Sequence, residues 1–462
     1  MLQKSSVIWR SQKNINMKNK YFYIETFGCQ MNVHDSEQMA ALLADHGYKL
    51  TENVKLADLI LINTCSIREK AAQKVYSELG RLVKFKENKP DLLIGVGGCL
   101  AQHLGHKFHK RVRHLDFVFG THNIHRLPEI IDSLEKKRAK ITNIDFYKSI
   151  NSIGVYAPPV KGALSAFVTI MQGCNNFCAY CVVPYLRGPE MSRLPDEVVE
   201  EIKKLAACGI KEVTLLGQNV NSYGKTLGNG YNFRALIRKI GNISGIERIR
   251  FTTSHPRDLS EELIDCFGEE QKLCEHIHLP VQSGSNKILA LMNRGYTIDE
   301  YMKKIDYLRK ICPSISITSD IIVGFPGESQ KDYQETIDMM EKIRFDSTFS
   351  FKYSERKGTA AQKLGGKIDE CEKQQRLKLL QALQDKHTME RNTQLEGSRQ
   401  EILIEGKSKN SETDLMGRTR CWKIVNFKGE QQLVRKLMNV TIAKAYLHSL
   451  RGKLIEEVGN VD

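Results

Sequence analysis

A repeated strand–helix unit in the middle of the chain constrains the fold more than any other feature of the sequence. Six short apolar runs are typical of buried strands: Ala166–Met171, Glu212–Leu216, Arg248–Thr252, His276–Leu279, Ser316–Val323 and Thr348–Phe351. Between them lie segments with helical patterning: Asp196–Cys208, Phe233–Ile240, Leu259–Phe267, Ile298–Ile311 and Lys331–Lys342. Because this alternation is typical of parallel sheets with helical crossovers, it predicts a full or partial (β/α) barrel over residues 162–390.

Shorter regions flank this barrel on both sides. Residues 21–140 predict a parallel α/β domain, with strands at Tyr21–Thr26, Ala57–Asn63 and Leu92–Val96 and helices at Ser36–His46 and Ile67–Lys84. Residues 391–458 predict a small antiparallel β-barrel, with strands at Glu401–Ile404, Cys421–Phe427 and Asn439–Ala445. We expect residues 1–20 to be a basic tail and residues 141–161, which contain Pro158 and Pro159, to be a linker.

Three closely spaced cysteines, Cys174, Cys178 and Cys181, follow the first predicted barrel strand. Enzymes built on this fold carry their chemistry at the carboxyl ends of the strands. Three thiolates suit three corners of a [4Fe–4S] cube and leave its fourth iron open to a substrate. A zinc site is the alternative, but zinc usually takes a complete fourth ligand and paired C-x₂-C motifs. The triplet therefore favours an iron–sulfur cluster.

Three other cysteines, Cys29, Cys65 and Cys99, each follow or close a strand-like run of the N-terminal domain. Because the ends of parallel strands meet at one edge of a sheet, these thiols could bind a second cluster there. The alternative is that they are buried structural thiols, since free cysteine is often buried. The remaining six show no ligand spacing and are interpreted as packing residues: Cys208, Cys266, Cys274, Cys312, Cys371 and Cys421.

The charge balance and the absence of long apolar runs narrow the class of partner. Lysine and arginine number 69 against 54 acids, a net charge of +15, which suits a polyanion such as RNA as well as a merely soluble surface. No run is apolar for long enough to span a bilayer, so we expect no membrane partner. The first 20 residues lack the apolar core of a secretory signal, so we expect a cytoplasmic protein. A mitochondrial presequence leading to the matrix is the alternative.

The triplet resembles the signature of the radical S-adenosylmethionine (SAM) enzymes, and two other segments match that family. Leu215–Asn219 ends the second barrel strand, where the family contacts the methionine part of SAM, and Asp320–Glu328 resembles its fifth-strand motif near the adenine. From Tyr21 to Val458 the chain resembles the methylthiotransferases, with an auxiliary-cluster domain, a radical SAM core and a TRAM RNA-binding domain. Gly28–Val33, Asn63–Ala71 and Val183–Arg193 are most similar to the tRNA branch, although Leu100 stands where that branch often has methionine.

This resemblance implies a reaction and its cofactors. The enzyme would convert N6-dimethylallyladenosine beside the tRNA anticodon into its 2-methylthio derivative. The resemblance implies two [4Fe–4S] clusters, held by Cys29, Cys65 and Cys99 and by Cys174, Cys178 and Cys181, and SAM, contacted by Tyr180 and Gln218. It also implies a tRNA anticodon stem-loop, a flavodoxin-like or ferredoxin-like electron donor and a sulfur source as partners.

Two other functions remain open on the sequence alone. A methylthiotransferase could act on a different target, either threonylcarbamoyl-adenosine in tRNA or a ribosomal protein, and its peptide-directed form would ignore RNA. A non-enzymatic iron–sulfur or zinc RNA-binding protein would bind RNA without cleaving SAM. The residues after Cys29 disfavour the ribosomal target, and the triplet disfavours the non-enzymatic protein.

Overall fold

The computed structural model describes residues 19–65, 69–146, 156–160, 162–408, 411 and 413–455. The basic tail predicted at 1–20, except for its last two residues, and residues 147–155 and 161 of the predicted linker lie outside this range. Residues 66–68 of the Asn63–Ala71 segment and residues 456–458 of the C-terminal domain also lie outside it. The chain divides into two compact units, one of residues up to 28 and 35–144, the other of residues 29–34 and 145 onwards.

The first unit is a doubly wound parallel α/β domain, as the sequence predicts. Its elements in chain order are β1 (Lys20–Phe27), α1 (Gln30–Asp45), β2 (Tyr48–Leu50), β3 (Leu59–Thr64), α2 (Glu69–Asn88), β4 (Leu93–Gly98), α3 (Cys99–Leu104), α4 (Lys107–Arg111), β5 (Phe117–Phe119), α5 (Leu127–Lys136) and β6 (Ile141–Asn143). The strands pair in the order β2-β1-β3-β4-β5-β6, all parallel. Every residue of β3 and β4 is buried, because helices cover both faces of the sheet.

The strand order places a topological switch point between β1 and β3, where the chain leaves the two strands in opposite directions. In doubly wound sheets such a point opens a crevice at the carboxyl ends of the strands. The ends of the three central strands are in register, since Phe27 pairs with Thr64 and Thr64 pairs with Gly98. The carboxyl ends of these three strands therefore lie side by side at one edge of the sheet.

The second unit begins with a partial (β/α) barrel. Its elements are β7 (Ser165–Thr169), β8 (Met171–Gln172), α6 (Val183–Arg187), β9 (Met191–Ser192), α7 (Pro195–Ala207), β10 (Glu212–Leu216), α8 (Phe233–Gly241), β11 (Arg248–Phe251), α9 (Glu261–Glu269), β12 (His276–His278), α10 (Asn286–Leu291), α11 (Ile298–Ile311), β13 (Ser316–Val323), α12 (Gln330–Ile343), β14 (Ser347–Lys352) and α13 (Glu370–Thr393). Two parallel three-stranded sheets, β7-β10-β11 and β12-β13-β14, are joined by a bridge between Ile249 and Leu273. The six strands therefore form one curved sheet, open between β7 and β14.

A closed five-stranded barrel completes the second unit. Its strands are β15 (Arg399–Lys407), β16 (Asp414–Thr419), β17 (Ile424–Lys428), β18 (Leu437–Ala445) and β19 (Leu450–Leu454), paired in the order β15-β16-β17-β19-β18. The small barrel is confirmed, although the sequence indicated only three of its strands and missed β16 and β19. Within the described part of the chain, no helix is long and apolar enough to cross a membrane.

Buried arginines dock this small barrel onto the amino-terminal end of the partial barrel. Arg248, the first residue of β11, is fully buried, and its guanidinium lies 2.9 Å from the Glu401 carboxylate and donates to the Arg418 carbonyl oxygen at 2.9 Å. Arg250 donates to the carbonyl oxygens of Thr419 and Arg420 at 2.9 and 2.7 Å. These bonds pair several donors of two guanidinium groups whose burial without partners would be costly.

The loop between β16 and β17 seals the same end of the partial barrel. Its Trp422 ring stacks on His276 at 6.1 Å, and its Lys423 ammonium lies 2.8 Å from the Asp346 carboxylate, just before β14. The Arg250 guanidinium lies over the Trp422 ring, 4.6 Å from its centroid. The partial barrel is therefore closed by the small barrel at one end and open at the carboxyl ends of its strands.

Replacing Arg248 with Ala should separate the two barrels. The change removes hydrogen bonds from the buried guanidinium to the Arg418 carbonyl oxygen and to the Glu401 carboxylate, which is 38% exposed, each worth at most about 1.5–3 kcal/mol. Thermal unfolding followed by circular dichroism should show a lower midpoint, and limited proteolysis should release the small barrel at residues 393–398. Arg238→Ala, which removes an exposed ion pair with Glu269, is the matched control and should leave both measurements unchanged. Equal protease resistance in both variants would contradict the docking role of Arg248.

Candidate active site

The cysteine triplet lies at the open end of the partial barrel. The chain leaves β7, forms the short strand β8, and turns into the loop that carries Cys174, Cys178 and Cys181 before α6. The side chains of Cys174 and Cys178 are buried and that of Cys181 is partly exposed; all three are free thiols. The structure thus puts the triplet at the carboxyl end of the first strand, where enzymes of this architecture place their reactive groups.

Gly173 allows this loop to turn tightly. Its φ is +83°, and a Cβ at this position would lie 2.0 Å from the Pro189 carbonyl oxygen, so a larger residue would meet rigid backbone. Its amide donates to the Gln218 side-chain oxygen at 2.5 Å. Gln218, expected to contact SAM, therefore orients the backbone directly before Cys174 in this structure.

Phe177 holds a left-handed backbone conformation that a bulky residue rarely adopts, with φ at +46°. The Asn293 side-chain amide stabilises it by donating to the Phe177 carbonyl oxygen at 3.0 Å and to that of Asn176 at 3.4 Å. The Arg257 guanidinium donates to the Asn176 side-chain oxygen. Side chains that follow β11 and the short helix α10 thus fix the loop between Cys174 and Cys178.

A buried positive charge faces Cys178. Arg294 donates to the Cys178 sulfur at 3.2 Å, to the Tyr180 hydroxyl at 3.3 Å and to the Pro280 carbonyl oxygen at 2.7 Å. His255 lies 3.9 Å from the same sulfur. Burial, reinforced by the nearby Arg294 charge, lowers the pKa of His255 to about 2, so this imidazole is neutral at physiological pH.

The chemistry of the donor set fits an iron–sulfur cube. Burial raises the pKa of Cys174 to about 11 and that of Cys181 to about 12, so these thiols need a strong nearby cation to be held as thiolates. Among the described residues, no three metal-binding side chains converge closely enough to hold a single metal ion. In a cube each thiolate binds its own iron, so three thiolates can hold the cluster without meeting at one ion.

Unsatisfied polar atoms ring the open end of the barrel. In the described part of the chain these buried atoms lack a hydrogen-bond partner: Gln172 Nε2, Asn219 Oδ1, Asn221 Nδ2 and Oδ1, Ser254 Oγ and Gln282 Oε1. They belong to the ends of β8, β10, β11 and β12. Buried polar groups in proteins are normally paired, so this ring fits a ligand with several donors and acceptors, such as SAM.

Sequence reasoning found the cysteines but missed the side chains that surround them. Tyr180, expected near SAM, is partly exposed and accepts the Arg294 hydrogen bond described above. Arg294, His255 and Asn293 were not singled out. His255 follows β11, and Asn293 and Arg294 follow the short helix after β12. Polar residues in the loops after the third and fourth barrel strands could therefore have been predicted as site residues.

The three N-terminal cysteines follow neighbouring strands, as expected. Cys65 and Cys99 are buried and come directly after Thr64 and Gly98, which are paired in register. Gly98 has φ +90°, and a Cβ there would lie 2.4 Å from the Asn63 side-chain oxygen, so only glycine permits this approach. Cys29 comes two residues after β1, and its exposed thiol donates to the Asn32 side-chain oxygen at 3.4 Å.

Family comparisons divide the chain into the same three regions. Residues 21–120 match Uncharacterized protein family UPF0004, residues 168–340 the Radical SAM superfamily and residues 393–455 the TRAM domain.

Curated relatives match over nearly the whole chain. A protein from Syntrophus aciditrophicus (strain SB), named tRNA-2-methylthio-N(6)-dimethylallyladenosine synthase, is 59% identical over 96% of this chain and 96% of its own length. A protein of the same name from Geobacter sulfurreducens is 49% identical, over 96% of this chain and 99% of its own length.

Solved structures show the fold at low sequence identity. The radical S-adenosylmethionine methyltransferase TsrM from Kitasatospora setae, with cobalamin and a [4Fe-4S] cluster bound, has a TM-score of 0.58 at 12% identity and covers 75% of this chain and 74% of its own. The cobalamin-dependent enzyme OxsB has a TM-score of 0.51 at 14% identity, covering 80% of this chain and 56% of its own.

Replacing Gly173 with Ala should prevent the triplet from holding its iron. The added methyl group meets the Pro189 carbonyl oxygen, so the loop that carries Cys174 must move. Anaerobic reconstitution followed by iron analysis should show a loss of about four irons, one whole cube. Gly209→Ala is the matched control, because Gly209 has φ +90° but nothing within 4 Å of a Cβ. If Gly209→Ala loses the same amount of iron, backbone strain rather than the contact at Gly173 is responsible.

Proposed function

The chain belongs to the tRNA-2-methylthio-N(6)-dimethylallyladenosine synthase family of radical SAM methylthiotransferases, and we propose that it attaches a methylthio group to C2 of N6-dimethylallyladenosine in tRNA. The observation that carries the proposal is the triplet of free thiols at the open end of a partial barrel, in a chain whose tail is a TRAM domain. The names of the relatives favour a tRNA substrate over a ribosomal protein.

When bound, SAM and the cluster of the triplet would supply the radical chemistry needed at C2, a position with no acidic proton for a base to take. The chain's own residues orient and shield this chemistry. Cys174, Cys178 and Cys181 hold three irons, and Arg294 fixes the Cys178 sulfur from a buried position. The unsatisfied polar atoms of Gln172, Asn219, Ser254 and Gln282 offer hydrogen bonds to the polar groups of SAM.

Cys29, Cys65 and Cys99 hold a second [4Fe–4S] cluster, which would supply the sulfur of the methylthio group. Support comes from the sheet: their three strands are neighbours and end in register, and two of them, β1 and β3, flank the switch point. The residues around them also allow close backbone approach, since Gly98 leaves room beside Asn63 and Thr64.

The reaction requires partners outside the chain. The substrate is the anticodon stem-loop, whose single-stranded bases can leave the stack without melting a duplex. A flavodoxin-like or ferredoxin-like protein would donate the electron for SAM cleavage, and a separate sulfur source would replenish the second cluster. We place the enzyme in the cytoplasm, with its tRNA substrate; the segment of a mitochondrial presequence, within 1–20, lies almost wholly outside the described residues.

The reconstituted protein should bind about eight irons, four for each cube. The reason is that six cysteines lie in two groups of three, one after three neighbouring parallel strands and one in the single loop between β8 and α6. Iron and sulfide analysis after anaerobic reconstitution measures the total. Saturation at about four irons would mean that Cys29, Cys65 and Cys99 are structural thiols.

Single cysteine variants should separate the two clusters. Cys178→Ala should abolish both 5′-deoxyadenosine and modified tRNA, because it removes a ligand of the SAM-binding cube. Cys99→Ala should keep SAM cleavage but make no methylthio product, because it affects only the sulfur-supplying cluster. Mass spectrometry of digested tRNA and chromatography of 5′-deoxyadenosine measure the two outcomes, and Cys371→Ala, an exposed cysteine outside both groups, is the matched control.

Circular dichroism must first show that each cysteine variant is folded, since cluster binding and folding are coupled. A folded Cys99→Ala protein that makes the methylthio product at the parent's rate would overturn the sulfur-supplying role. A folded parent that cleaves SAM, binds RNA and never modifies it would overturn the proposed function itself.

A further inference from the structure

Two phenylalanines on the edge strand of the partial barrel face its interior and remain in contact with solvent. Phe349 is 54% exposed and Phe351 is 39% exposed. They pair in register with Asp320 and Ile322 of β13, while the alternate residue Ile321 is fully buried in the core beneath the helices. Because side chains alternate between the faces of a strand, Phe349 and Phe351 lie on the face opposite the helices, inside the barrel.

The outer face of β14 is already covered. Helix α13 packs along this strand, with Gln384 donating to the Phe345 carbonyl oxygen at 2.9 Å and Thr388 donating to that of Asp346 at 3.0 Å. In the described chain, β13 is the only strand that pairs with β14. The two phenylalanines therefore form an exposed aromatic wall along the opening of the barrel, which we call the Phe349–Phe351 wall.

Polar groups stand beside this wall. The His278 ring meets Phe349 edge-on with 6.0 Å between ring centroids, and His278 Nε2 lies 3.5 Å from the Asp320 carboxylate. Thr318 holds the other His278 nitrogen, with 3.0 Å between Nδ1 and the hydroxyl oxygen. The flat apolar surface of Phe349 thus lies beside two polar side chains, His278 and Asp320, whose positions are fixed by these polar contacts. Such a surface can stack against an aromatic ring while the polar groups form hydrogen bonds to the edge of that ring.

We propose that the Phe349–Phe351 wall receives the adenine of the RNA substrate with its N6-dimethylallyl group. This inference rests on the proposed function and adds the residues that select the modified base. The base must leave the loop to bring C2 to the reacting centre, and its purine face and five-carbon substituent are both apolar. Exposed aromatic rings inside a barrel are covered at least cost by such a ligand.

Other occupants fit the observations less well. A peptide could add to the free backbone edge of β14, but pairing at that edge would leave uncovered the two rings on the inner face of the strand. The adenine of SAM is also flat, and buried polar atoms without a partner lie on and just after β14 as well, at Thr348 and Tyr353. The RNA-independent assay described below therefore tells a SAM ligand from an RNA ligand. The net charge of +15 also favours an RNA ligand.

Phe349→Ala tests the wall in the full-length, reconstituted protein. Its kcat/KM for an anticodon stem-loop that carries N6-dimethylallyladenosine should fall about ten- to a hundredfold, the range for losing one base–aromatic stack. Phe349→Tyr keeps the ring and should stay within about threefold of the parent. Leu379→Ala, which removes an exposed apolar side chain from α13, is the matched control and should be unchanged.

Two further measurements separate the possible outcomes. RNA-independent formation of 5′-deoxyadenosine with dithionite should be the same in all four proteins. A proportional loss in Phe349→Ala would mean that the wall binds SAM or stabilises the fold.

Fluorescence anisotropy compares binding of the dimethylallyl stem-loop with the same RNA carrying unmodified adenosine. The parent should prefer the modified RNA and Phe349→Ala should lose that preference, whether or not turnover follows. An unchanged preference in Phe349→Ala would overturn the proposal.

Discussion

Parallel pairing of strands is the constraint on which the rest of this structure depends. A parallel pair needs a crossover connection, so every strand of a sheet ends at the same edge. The chain uses this geometry twice, in the doubly wound sheet and in the partial barrel. In each sheet a glycine with positive φ, Gly98 or Gly173, directly precedes a cysteine at that edge. Cysteines far apart in sequence can thus be placed by backbone geometry alone.

The opposite end of the partial barrel shows how the small barrel supports the site. Arg248 and Arg250 project from the start of β11 and donate to carbonyl oxygens of the small barrel. Trp422 then stacks on His276, and burial beside the Arg250 charge lowers the pKa of that histidine well below its usual value. His276 is therefore neutral, and its Nε2 lies 3.2 Å from the Thr318 hydroxyl that also contacts His278. The small barrel, which was expected only to bind RNA, therefore also closes the amino-terminal end of the partial barrel.

The sequence predicted the elements of the barrel well because each is a local pattern. Glu212–Leu216, Ser316–Val323 and Ile298–Ile311 have the predicted bounds, since short apolar runs and helical periodicity do not depend on distant residues. Strands β16 and β19 were missed because their glycines and charged residues weaken the apolar signal, and pairing within the closed barrel stabilises them instead. The triplet could be found from its spacing, and Cys29, Cys65 and Cys99 from their positions after predicted strands.

The surroundings of the cysteines could not be found in the same way. Which face of β14 points into the barrel follows from its register with β13, and which polar residue reaches Cys178 follows from the approach of the loops after β11 and β12. No local pattern encodes either relation.

Backbone strain explains why this end of the barrel can hold a fixed geometry. Four non-glycine residues adopt positive φ there: Phe177, Thr253, Gln282 and Asn293. Each such conformation costs about 1–3 kcal/mol and persists only where the surrounding structure determines it. Hydrogen bonds to neighbouring strands stabilise these conformations. The Thr253 hydroxyl donates to the Gly217 carbonyl oxygen at 2.6 Å, and the Gln282 amide donates to the Asp320 carbonyl oxygen. A radical intermediate reacts with whatever lies nearest, so selectivity depends on exact placement more than on acid–base strength. The four residues at the open end of the barrel provide such placement. Any one of them could relax to an unstrained conformation only by breaking its hydrogen bonds to the neighbouring strands.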